Sequence, residues 1–425
     1  MRHIFNVSIG MAVALLLCTP VVFGAPRPGL RYEYSSGHLF TEKGGRKLRV
    51  EADNPSGARM EVAMALVSDL SLMSETKDTV LFMTKAVHGR HARLAFPLKG
   101  VAPGFYQVNL SWKADGSSGS FDPFNIGIDP EDIVSPQDKR PDFDEFWAST
   151  LEELASVPMD VVMEFSPEHS DSLRNSYRVE ITSFGGERMG GILCEPVKDG
   201  RYPVYVNYMG YGAEPFWYDP SSKPDAIEFL VSVRDQGIFK GDNTGWMNRG
   251  LDSKENYYYR GAFCDVVRAV DFVASLEKAD TSRIFACGDS QGGAFTLISA
   301  SLDRRIAAAA PAVPFLGDYR HYSRIVRWPL WEVFEVADKL GIDRETLFGT
   351  LSYFDVKNFT DRIECPVYMA FGLQDPTCPP HTNFAVYNMI KAPKKYLCVP
   401  GCGHAIWNES VWQEKRKKWF QAFEK

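Results

Sequence analysis

The chain has 425 residues, of which 45% are hydrophobic and 24% are charged, and its formal net charge is −7. These are the values of an ordinary folded protein, so they exclude a disordered or low-complexity chain, and the length predicts two or three domains. The mild acidity also argues against a protein that binds nucleic acid, because such proteins usually present a strongly basic face.

The first 24 residues have the pattern of a secretory signal peptide. Arg2 and His3 give a positively charged start, and residues 9–17 contain no polar side chain. Val22 and Gly24 then supply the aliphatic or small residues that precede a cleavage site. The apolar stretch is too short to span a bilayer. We therefore predict an exported protein, periplasmic or secreted, without a membrane span in its mature form.

Residues 25–128 are predicted to form a small β-sandwich domain of immunoglobulin-like size. Short alternating runs, such as 47–51, 61–66 and 105–110, are separated by clusters rich in Gly, Asn and Asp. About seven such strands without a convincing helix are typical of this class. Tyr106 resembles the tyrosine found late in such sandwiches. The domain could bind carbohydrate, but we favour a scaffold or oligomer-packing role.

Residues 129–425 are predicted to form an α/β domain. After a connector rich in Pro and Asp, strand-like runs alternate with helical periodicity, which predicts a mostly parallel sheet with helices on both faces. The aromatic segment 318–348 is predicted to be helical and could cap the site or pack against the sheet or a neighbouring subunit. The predicted strands are 204–206, 229–233, 284–287, 306–312, 367–371 and 396–399, and the predicted helices are 143–154, 261–277, 292–301 and 411–423.

The cysteines give no sign of a disulfide framework or a metal centre. One of the eight lies in the predicted signal peptide, which leaves an odd number and therefore at least one free thiol. Cys398 and Cys402 precede His404, but no second ligand cluster accompanies them. We therefore predict no metal site.

The sequence Gly288-Asp289-Ser290-Gln291-Gly292 has the G-x-S-x-G spacing of a nucleophile elbow. It stands between an apolar predicted strand and a predicted helix rich in small residues, which is the context that an elbow requires. The tight turn needs glycine on both sides and exposes the serine above the sheet. A plain turn capped by Ser290 is the alternative interpretation.

A serine hydroxyl needs a base and an orienting carboxylate, and in this kind of fold they follow in the order Ser, acid, His. Asp375 follows the predicted strand 367–371, and His404 follows the strand 396–399. We therefore predict Ser290 as the nucleophile, Asp375 as the acid and His404 as the base. His321 and His381 are the competing histidines, which we interpret as surface or pocket residues.

Several longer motifs resemble the acetylxylan esterase and cephalosporin C deacetylase family (carbohydrate esterase family seven) of α/β-hydrolases. The resemblance covers residues 137–425 and leaves the predicted sandwich outside. The motifs that carry it are Pro141-Asp142-Phe143-Asp144-Glu145-Phe146-Trp147, Tyr257-Tyr258-Tyr259-Arg260, Gly288-Asp289-Ser290-Gln291-Gly292-Gly293, Val313-Pro314-Phe315-Leu316, Leu351-Ser352-Tyr353-Phe354-Asp355 and Asp375-Pro376-Thr377-Cys378-Pro379-Pro380.

The resemblance implies a serine esterase that removes acetyl groups from acetylated oligo- or polysaccharides, such as xylan, without a cofactor. Ser290, Asp375 and His404 match the family's triad. The backbone N–H groups of Gln291 and Tyr211 match its oxyanion hole, where hydrogen-bond donors face the developing negative charge. Family members are similar to one another in forming hexameric rings, so a homo-oligomer is one possible assembly.

The sequence departs from the family pattern at three places. The family's Arg-Gly-Gln is here Arg234-Asp235-Gln236, its His-Glu pair is His404-Ala405, and its glycine-rich loop is reduced to residues 212–215. Two other functions stay open at this stage, the first because it shares the elbow and the order of the triad, and the second because of the departures around Arg234 and His404. One is a serine peptidase of the prolyl-oligopeptidase type, and the other is a glycan-binding homologue that has lost its activity.

Overall fold

The structure is a computed structural model, and it describes residues 29–31, 38–41, 46–241 and 245–424. The predicted signal peptide lies outside the described residues. Within the described ranges, no helix is both long enough and apolar enough to cross a membrane.

The described residues between 29 and 128 form nine strands in two sheets, and we call this part the sandwich. The strands are β1 (Gly29–Arg31), β2 (Leu39–Phe40), β3 (Lys47–Asp53), β4 (Met60–Ser68), β5 (Thr79–Val87), β6 (His91–Pro97), β7 (Gly104–Ala114), β8 (Ser117–Ser120) and β9 (Phe124–Ile128). One sheet has the order β1-β3-β6, and the other has the order β2-β9-β7-β4-β5 with β8 paired to β7. The number of strands exceeds the seven predicted because β1, β2 and β8 are too short to show an alternating pattern.

The core of the sandwich follows from alternation along its strands. In β3, every second side chain is buried, and Leu48, Val50 and Ala52 face inward. The Tyr106 hydroxyl donates a hydrogen bond to the Ala102 carbonyl at 2.9 Å. A tyrosine that bonds to the backbone a few residues upstream is typical of immunoglobulin-like sandwiches, so the predicted resemblance is confirmed at this residue.

Residues 129–241 and 245–424, which we call the α/β part, contain one nine-stranded sheet. Its strands are β10 (Val162–Phe165), β11 (Arg174–Thr182), β12 (Arg188–Pro196), β13 (Tyr202–Tyr208), β14 (Ile227–Ser232), β15 (Ala279–Asp289), β16 (Ile306–Ala312), β17 (Val367–Gly372) and β18 (Lys394–Val399). The order is β10-β11-β12-β14-β13-β15-β16-β17-β18. The six strands from β14 to β18 in this order are parallel, as predicted, whereas β10, β11 and β12 are antiparallel and were not predicted.

Eight α-helices accompany this sheet in the described residues. They are α1 (Phe143–Ser156), α2 (Tyr258–Ser275), α3 (Gln291–Leu302), α4 (Tyr319–Ile325), α5 (Leu330–Lys339), α6 (Arg344–Leu351), α7 (Pro380–Met389) and α8 (Ser410–Gln421). The four predicted helices correspond to α1, α2, α3 and α8. Helix α3 is buried from Gln291 to Ala300, which explains its lack of a polar face. The α/β class is therefore confirmed.

The sandwich packs on the α/β part through both apolar and polar contacts. The Phe105 side chain is 1% exposed, and its ring lies 5.6 Å from that of Phe384 in α7. Nearby, the Nδ1 atom of His381 lies 3.0 Å from both carboxylate oxygens of Asp69, which belongs to a short turn after β4. Both side chains are buried, so of the two interpretations of His381, as a surface residue or as a pocket residue, the first is wrong.

The buried pair makes the docking of the sandwich dependent on pH. Burial alone would lower the pKa of His381, but Asp69, helped by Asp318, raises it above the usual value against a small opposing effect of Arg324. An imidazole with a raised pKa in the folded state stabilises the fold fully below the unfolded pKa of 6.5, and this contribution is lost as the pH rises through the folded pKa.

We therefore expect the wild type to have a higher unfolding temperature than an Asp69→Asn variant. The margin between the two temperatures should be largest below pH 6.5. The margin should shrink as the pH rises above that value, because His381 then loses its proton and the ion pair disappears. Thermal unfolding of both proteins between pH 5.5 and 9 measures this margin. A margin that is constant over the whole range contradicts the prediction.

Candidate active site

Ser290 occupies a strained turn between β15 and α3. Its backbone has φ 59° and ψ −118°, which is unusual for a residue other than glycine. Two hydrogen bonds hold this conformation: the Ser290 N–H donates to Ala312 O at 3.0 Å, and the Ser290 carbonyl accepts from Phe315 N at 3.0 Å. Strain that the surrounding structure maintains is characteristic of functional sites.

The glycines beside Ser290 are required by close backbone contacts. A Cβ atom on Gly292 would lie 2.0 Å from the carbonyl oxygen of Tyr208, and a Cβ on Gly288 would lie 2.6 Å from the same oxygen. No side chain fits at either position. The glycines therefore let the turn pass close to the end of β13, as the elbow pattern predicts.

Asp375 and His404 lie after β17 and β18, two neighbouring parallel strands. The Nδ1 atom of His404 lies 2.8 Å from Oδ2 of Asp375. The other carboxylate oxygen of Asp375 accepts hydrogen bonds from the backbone N–H groups of Thr377 and Cys378, both at 2.8 Å. Because these bonds fix the carboxylate, one of its oxygens is held toward the imidazole.

The imidazole of His404 is partly accessible, whereas its carboxylate partner is not. The His404 side chain is 24% exposed and the Asp375 side chain is 0% exposed. The Trp407 ring packs at 88° against the imidazole with centroids 5.3 Å apart. A buried carboxylate that orients a partly exposed imidazole is the arrangement that a general base requires.

The hydroxyl of Ser290 lies next to the loop that carries the acid. Its Oγ atom is 4.0 Å from the Sγ atom of Cys378, and among the described residues no hydrogen bond joins it to His404. Catalytic hydrogen bonds are often formed only when substrate is bound, so this geometry is compatible with a serine–histidine pair. The sequence did not single out Cys378, because a cysteine inside a Pro-rich loop carries no local signal for such a contact.

Asp375, Cys378 and His404 also form a group that could hold a metal ion, since their ligand atoms lie within 4.8 Å of one another. Burial, reinforced by Asp375, raises the pKa of the Cys378 thiol well above its usual value. This disfavours the thiolate, which is the form that binds metals. Asp375 and His404 are already bonded to each other, so this donor set fits an acid–base pair better than a metal centre.

The two backbone groups predicted for the oxyanion hole come from α3 and from the loop after β13. Gln291 is the first residue of α3, and the N–H groups of a first helical turn have no carbonyl partner within the helix. Tyr211 follows Gly210, where a Cβ atom would lie 4.0 Å from the Cβ of Ser290. The Tyr211 ring packs at 77° against Trp246 at 4.9 Å. Both loops therefore border the nucleophile.

The segment 318–348 forms α4, α5 and part of α6, and it reaches the acid loop. The Tyr322 hydroxyl lies within hydrogen-bond distance of the Trp328 carbonyl, at 2.7 Å, and of the Thr377 carbonyl, at 2.8 Å. Glu332 of α5 lies close enough to Tyr211 to add to the effect of burial, and both raise the pKa of that tyrosine. Contact with the acid loop favours the predicted capping role, while buried residues of α4 also pack in the core.

The departure at Arg234-Asp235-Gln236 leaves the local structure intact. Asp235 has φ 62°, a left-handed conformation that favours glycine but that aspartate adopts more readily than most residues. The Arg234 guanidinium donates to both oxygens of the buried Asp265 at 2.8 Å, and Gln236 donates to the Tyr258 hydroxyl at 3.0 Å. The arginine and the glutamine thus support the fold near the site.

The chain matches the family described as acetyl xylan esterase (AXE1) over residues 132–423. The chain belongs to the acetyl xylan esterase family. It is therefore a carboxylic ester hydrolase, and the family predicted from its motifs is confirmed. The sandwich lies outside the matched residues, as predicted.

Individual relatives agree with the family match. The chain is 31% identical over 340 residues to the acetyl esterase Axe7A of Xylanibacter ruminicola, covering 74% of this chain and 75% of that protein. Its structure is similar to that of acetyl xylan esterase 1 from Thermoanaerobacterium sp. JW/SL YS485, with a TM-score of 0.65, 26% identity and coverage of 70% and 98% of the two chains. The acetyl xylan esterase from Paenibacillus sp. R4 is similar at a TM-score of 0.64, 29% identity and coverage of 69% and 98%.

Proposed function

We propose that this acetyl xylan esterase family member removes acetyl groups from acetylated xylan or xylo-oligosaccharides through an acetyl-enzyme on Ser290. The observation that carries the proposal is the 2.8 Å bond between His404 and a buried, doubly anchored Asp375, beside a serine in a strained turn. The relatives are an acetyl esterase and two acetyl xylan esterases, which supports an acetyl ester as the substrate group.

In the proposed reaction, Oγ of Ser290 attacks the acetyl carbonyl carbon and gives its proton to Nε2 of His404. The carbonyl oxygen becomes negatively charged and accepts hydrogen bonds from the N–H groups of Gln291 and Tyr211. The carbon–oxygen bond to the sugar then breaks, and the sugar oxygen takes the proton from His404. Asp375 stays ionised and holds the imidazole in the tautomer that this transfer needs.

Deacylation repeats these steps with water. His404 takes a proton from the attacking water, the bond between the acetyl carbon and Oγ breaks, and Oγ of Ser290 recovers the proton. The products are acetate and the free enzyme. The proposal needs no metal and no cofactor, in line with the donor chemistry of the site.

We also propose the division of the chain into a signal peptide (1–24), a sandwich domain (25–128) and an esterase domain (129–425). The change from two small, largely antiparallel β-sheets to a single nine-stranded mixed sheet at the connector supports the second boundary. The signal-like sequence of residues 1–24 supports export to the periplasm or the medium.

Acetate release from a panel of substrates tests the proposed function. We expect the wild type to release acetate from acetylated xylo-oligosaccharides and to turn over p-nitrophenyl acetate much faster than the octanoate, because a pocket shaped for one methyl group excludes a longer chain. Mass spectrometry of the enzyme quenched during turnover should find the acetyl group on the peptide that contains Ser290. Faster turnover of the octanoate, or cleavage of a dipeptide anilide in place of the esters, contradicts the proposal.

A further inference from the structure

The side chain of Gln374, the residue before Asp375, joins the sandwich to the loops of the site. Its Oε1 accepts the backbone N–H of Asn125 at 2.7 Å, and its Nε2 donates to the backbone carbonyl of Asn125 at 3.1 Å. The Asn125 side chain in turn donates from Nδ2 to the Leu373 carbonyl at 3.2 Å. We call these three hydrogen bonds between Asn125 and residues 373–374 the amide clamp.

The amide clamp lies on the edge of β9 that pairs with β2. Asn125 lies in β9, which pairs with β7 along its length but with β2 only at Gly127 and Ile128. Gly127 and Asp129 donate their N–H groups toward β2, to His38 O at 2.9 Å and Phe40 O at 3.0 Å. Asn125 stands two residues earlier, so its backbone groups point to the same edge. The amide of Gln374 continues this ladder beyond the part of β2 that the structure describes.

The same glutamine is bonded to the loop of the base. Its Nε2 also donates to the Pro400 carbonyl at 2.9 Å, and its backbone N–H donates to the Cys402 carbonyl at 2.9 Å. Both acceptors lie in the segment between β18 and His404. At the start of the acid loop, a Cβ atom on Gly372 would lie 2.2 Å from the Gly403 carbonyl oxygen. Because the two loops pack without a gap, a shift of one displaces the other.

We propose that Gln374 and Asn125 are positioning residues, through which the sandwich holds the acid and the base of the active site in register. The inference rests on the proposed roles of Asp375 and His404. Strand β9 is a rigid support because Phe124, Ile126 and Ile128 anchor it in the sandwich core. A site whose supporting contacts are lost can misplace reacting groups by about 1 Å, which costs about a hundredfold in rate. The sandwich thereby has a role in catalysis. This role does not depend on whether the sandwich binds carbohydrate.

The test compares Gln374→Ala with Gln374→Met in the full chain. The methionine keeps most of the side-chain volume but makes none of the hydrogen bonds, so it separates bonding from packing. We expect both variants to lose about tenfold to a hundredfold in kcat for p-nitrophenyl acetate. We expect KM to stay within about twofold of the wild type, since Gln374 acts through Asp375 and His404 and not by binding the acyl group.

A fluorophosphonate that labels Ser290 separates positioning from loss of folded protein. In the positioning role, each Gln374 variant is labelled to full stoichiometry but more slowly than the wild type. In a merely structural role, labelling stops below full stoichiometry at the normal rate. The matched control is Asn388→Ala, which removes two amide hydrogen bonds to the connector, to Pro130 O at 2.9 Å and Ile133 O at 3.0 Å. This control should keep the wild-type kcat and labelling rate.

Three results would overturn the positioning role. They are a kcat within about twofold of the wild type in both variants, a normal kcat in Gln374→Met alone, and incomplete labelling that accounts for the whole loss. If the wild type releases acetate and the Gln374 variants have the same kcat, the positioning role is excluded and the proposed function stands. If the wild type neither releases acetate nor reacts with the fluorophosphonate, both the proposed function and the positioning role are excluded.

Discussion

Replacing Ser290 by alanine is expected to lower kcat for acetate release by about 10⁴- to 10⁶-fold while the protein stays folded. The hydroxyl is the attacking group in the proposed reaction, and removal of a nucleophile from a triad costs a factor of this order. The backbone at position 290 has a positive φ, which alanine tolerates less readily than glycine. Because Ser290, which also carries a Cβ atom, already adopts this conformation, we expect alanine to adopt it as well. Initial rates on p-nitrophenyl acetate, with thermal unfolding measured alongside, check the prediction.

Ser299→Ala is the matched control for this substitution. Ser299 lies in the same helix, is buried, and donates its hydroxyl hydrogen to the Thr296 carbonyl at 2.9 Å. The control removes one buried hydroxyl at a distance from the elbow, so it should cost some stability and leave kcat near that of the wild type. A Ser290→Ala enzyme with more than about one hundredth of the wild-type kcat would exclude Ser290 as the nucleophile.

Replacing Asp375 by asparagine is expected to lower kcat by about 10⁴-fold with little change in stability. The backbone N–H groups of Thr377 and Cys378 can still bond to the remaining oxygen, so the loop keeps its shape. The new amide nitrogen would donate toward Nδ1 of His404 and stabilise the tautomer with its proton on Nε2. That tautomer cannot accept the proton of Ser290, which is why the loss is large.

Asp171→Asn tests whether the loss of kcat in Asp375→Asn comes from the active site or from the loss of a carboxylate that accepts backbone N–H groups in a turn. Asp171 has the same local pattern as Asp375, because its Oδ1 accepts the backbone N–H groups of residues two and three positions later, at 2.7 Å and 2.9 Å. It stands before β11, away from the carboxyl ends of β15, β17 and β18. We expect wild-type kcat in this variant. A loss below about tenfold in Asp375→Asn would mean that another carboxylate orients His404.

The parts of the fold that were predicted are those with a local signal. Each of the parallel strands β13 to β18 contains an apolar run, and α2 and α3 were predicted from the residues next to these runs. The antiparallel strands β11 and β12 were missed because glycines interrupt the pattern of β12. A Cβ on Gly190 would lie 1.9 Å from the Val179 carbonyl, so the neighbouring strand requires glycine where a strand usually has a large side chain.

The site residues follow the same rule. Ser290 was predicted from a motif that the backbone geometry of an elbow imposes, and Asp375 and His404 were predicted from their places after parallel strands. Cys378 and the amide clamp were missed because both depend on contacts between distant segments, such as residues 125 and 374, for which no spacing along the chain exists. Whether Tyr211 and Gln291 stabilise the oxyanion stays a prediction.

The amide clamp also has a consequence for how the enzyme matures. A ribosome makes the sandwich first, then the elbow with its serine, and only later the loops of Asp375 and His404. Long-range pairings of this kind form late, because the intervening polypeptide must collapse before its ends can meet. A nascent chain therefore carries Ser290 before Asp375 and His404 are in place to activate its hydroxyl. The enzyme should stay inert throughout synthesis and gain its esterase activity as one of the last events of folding.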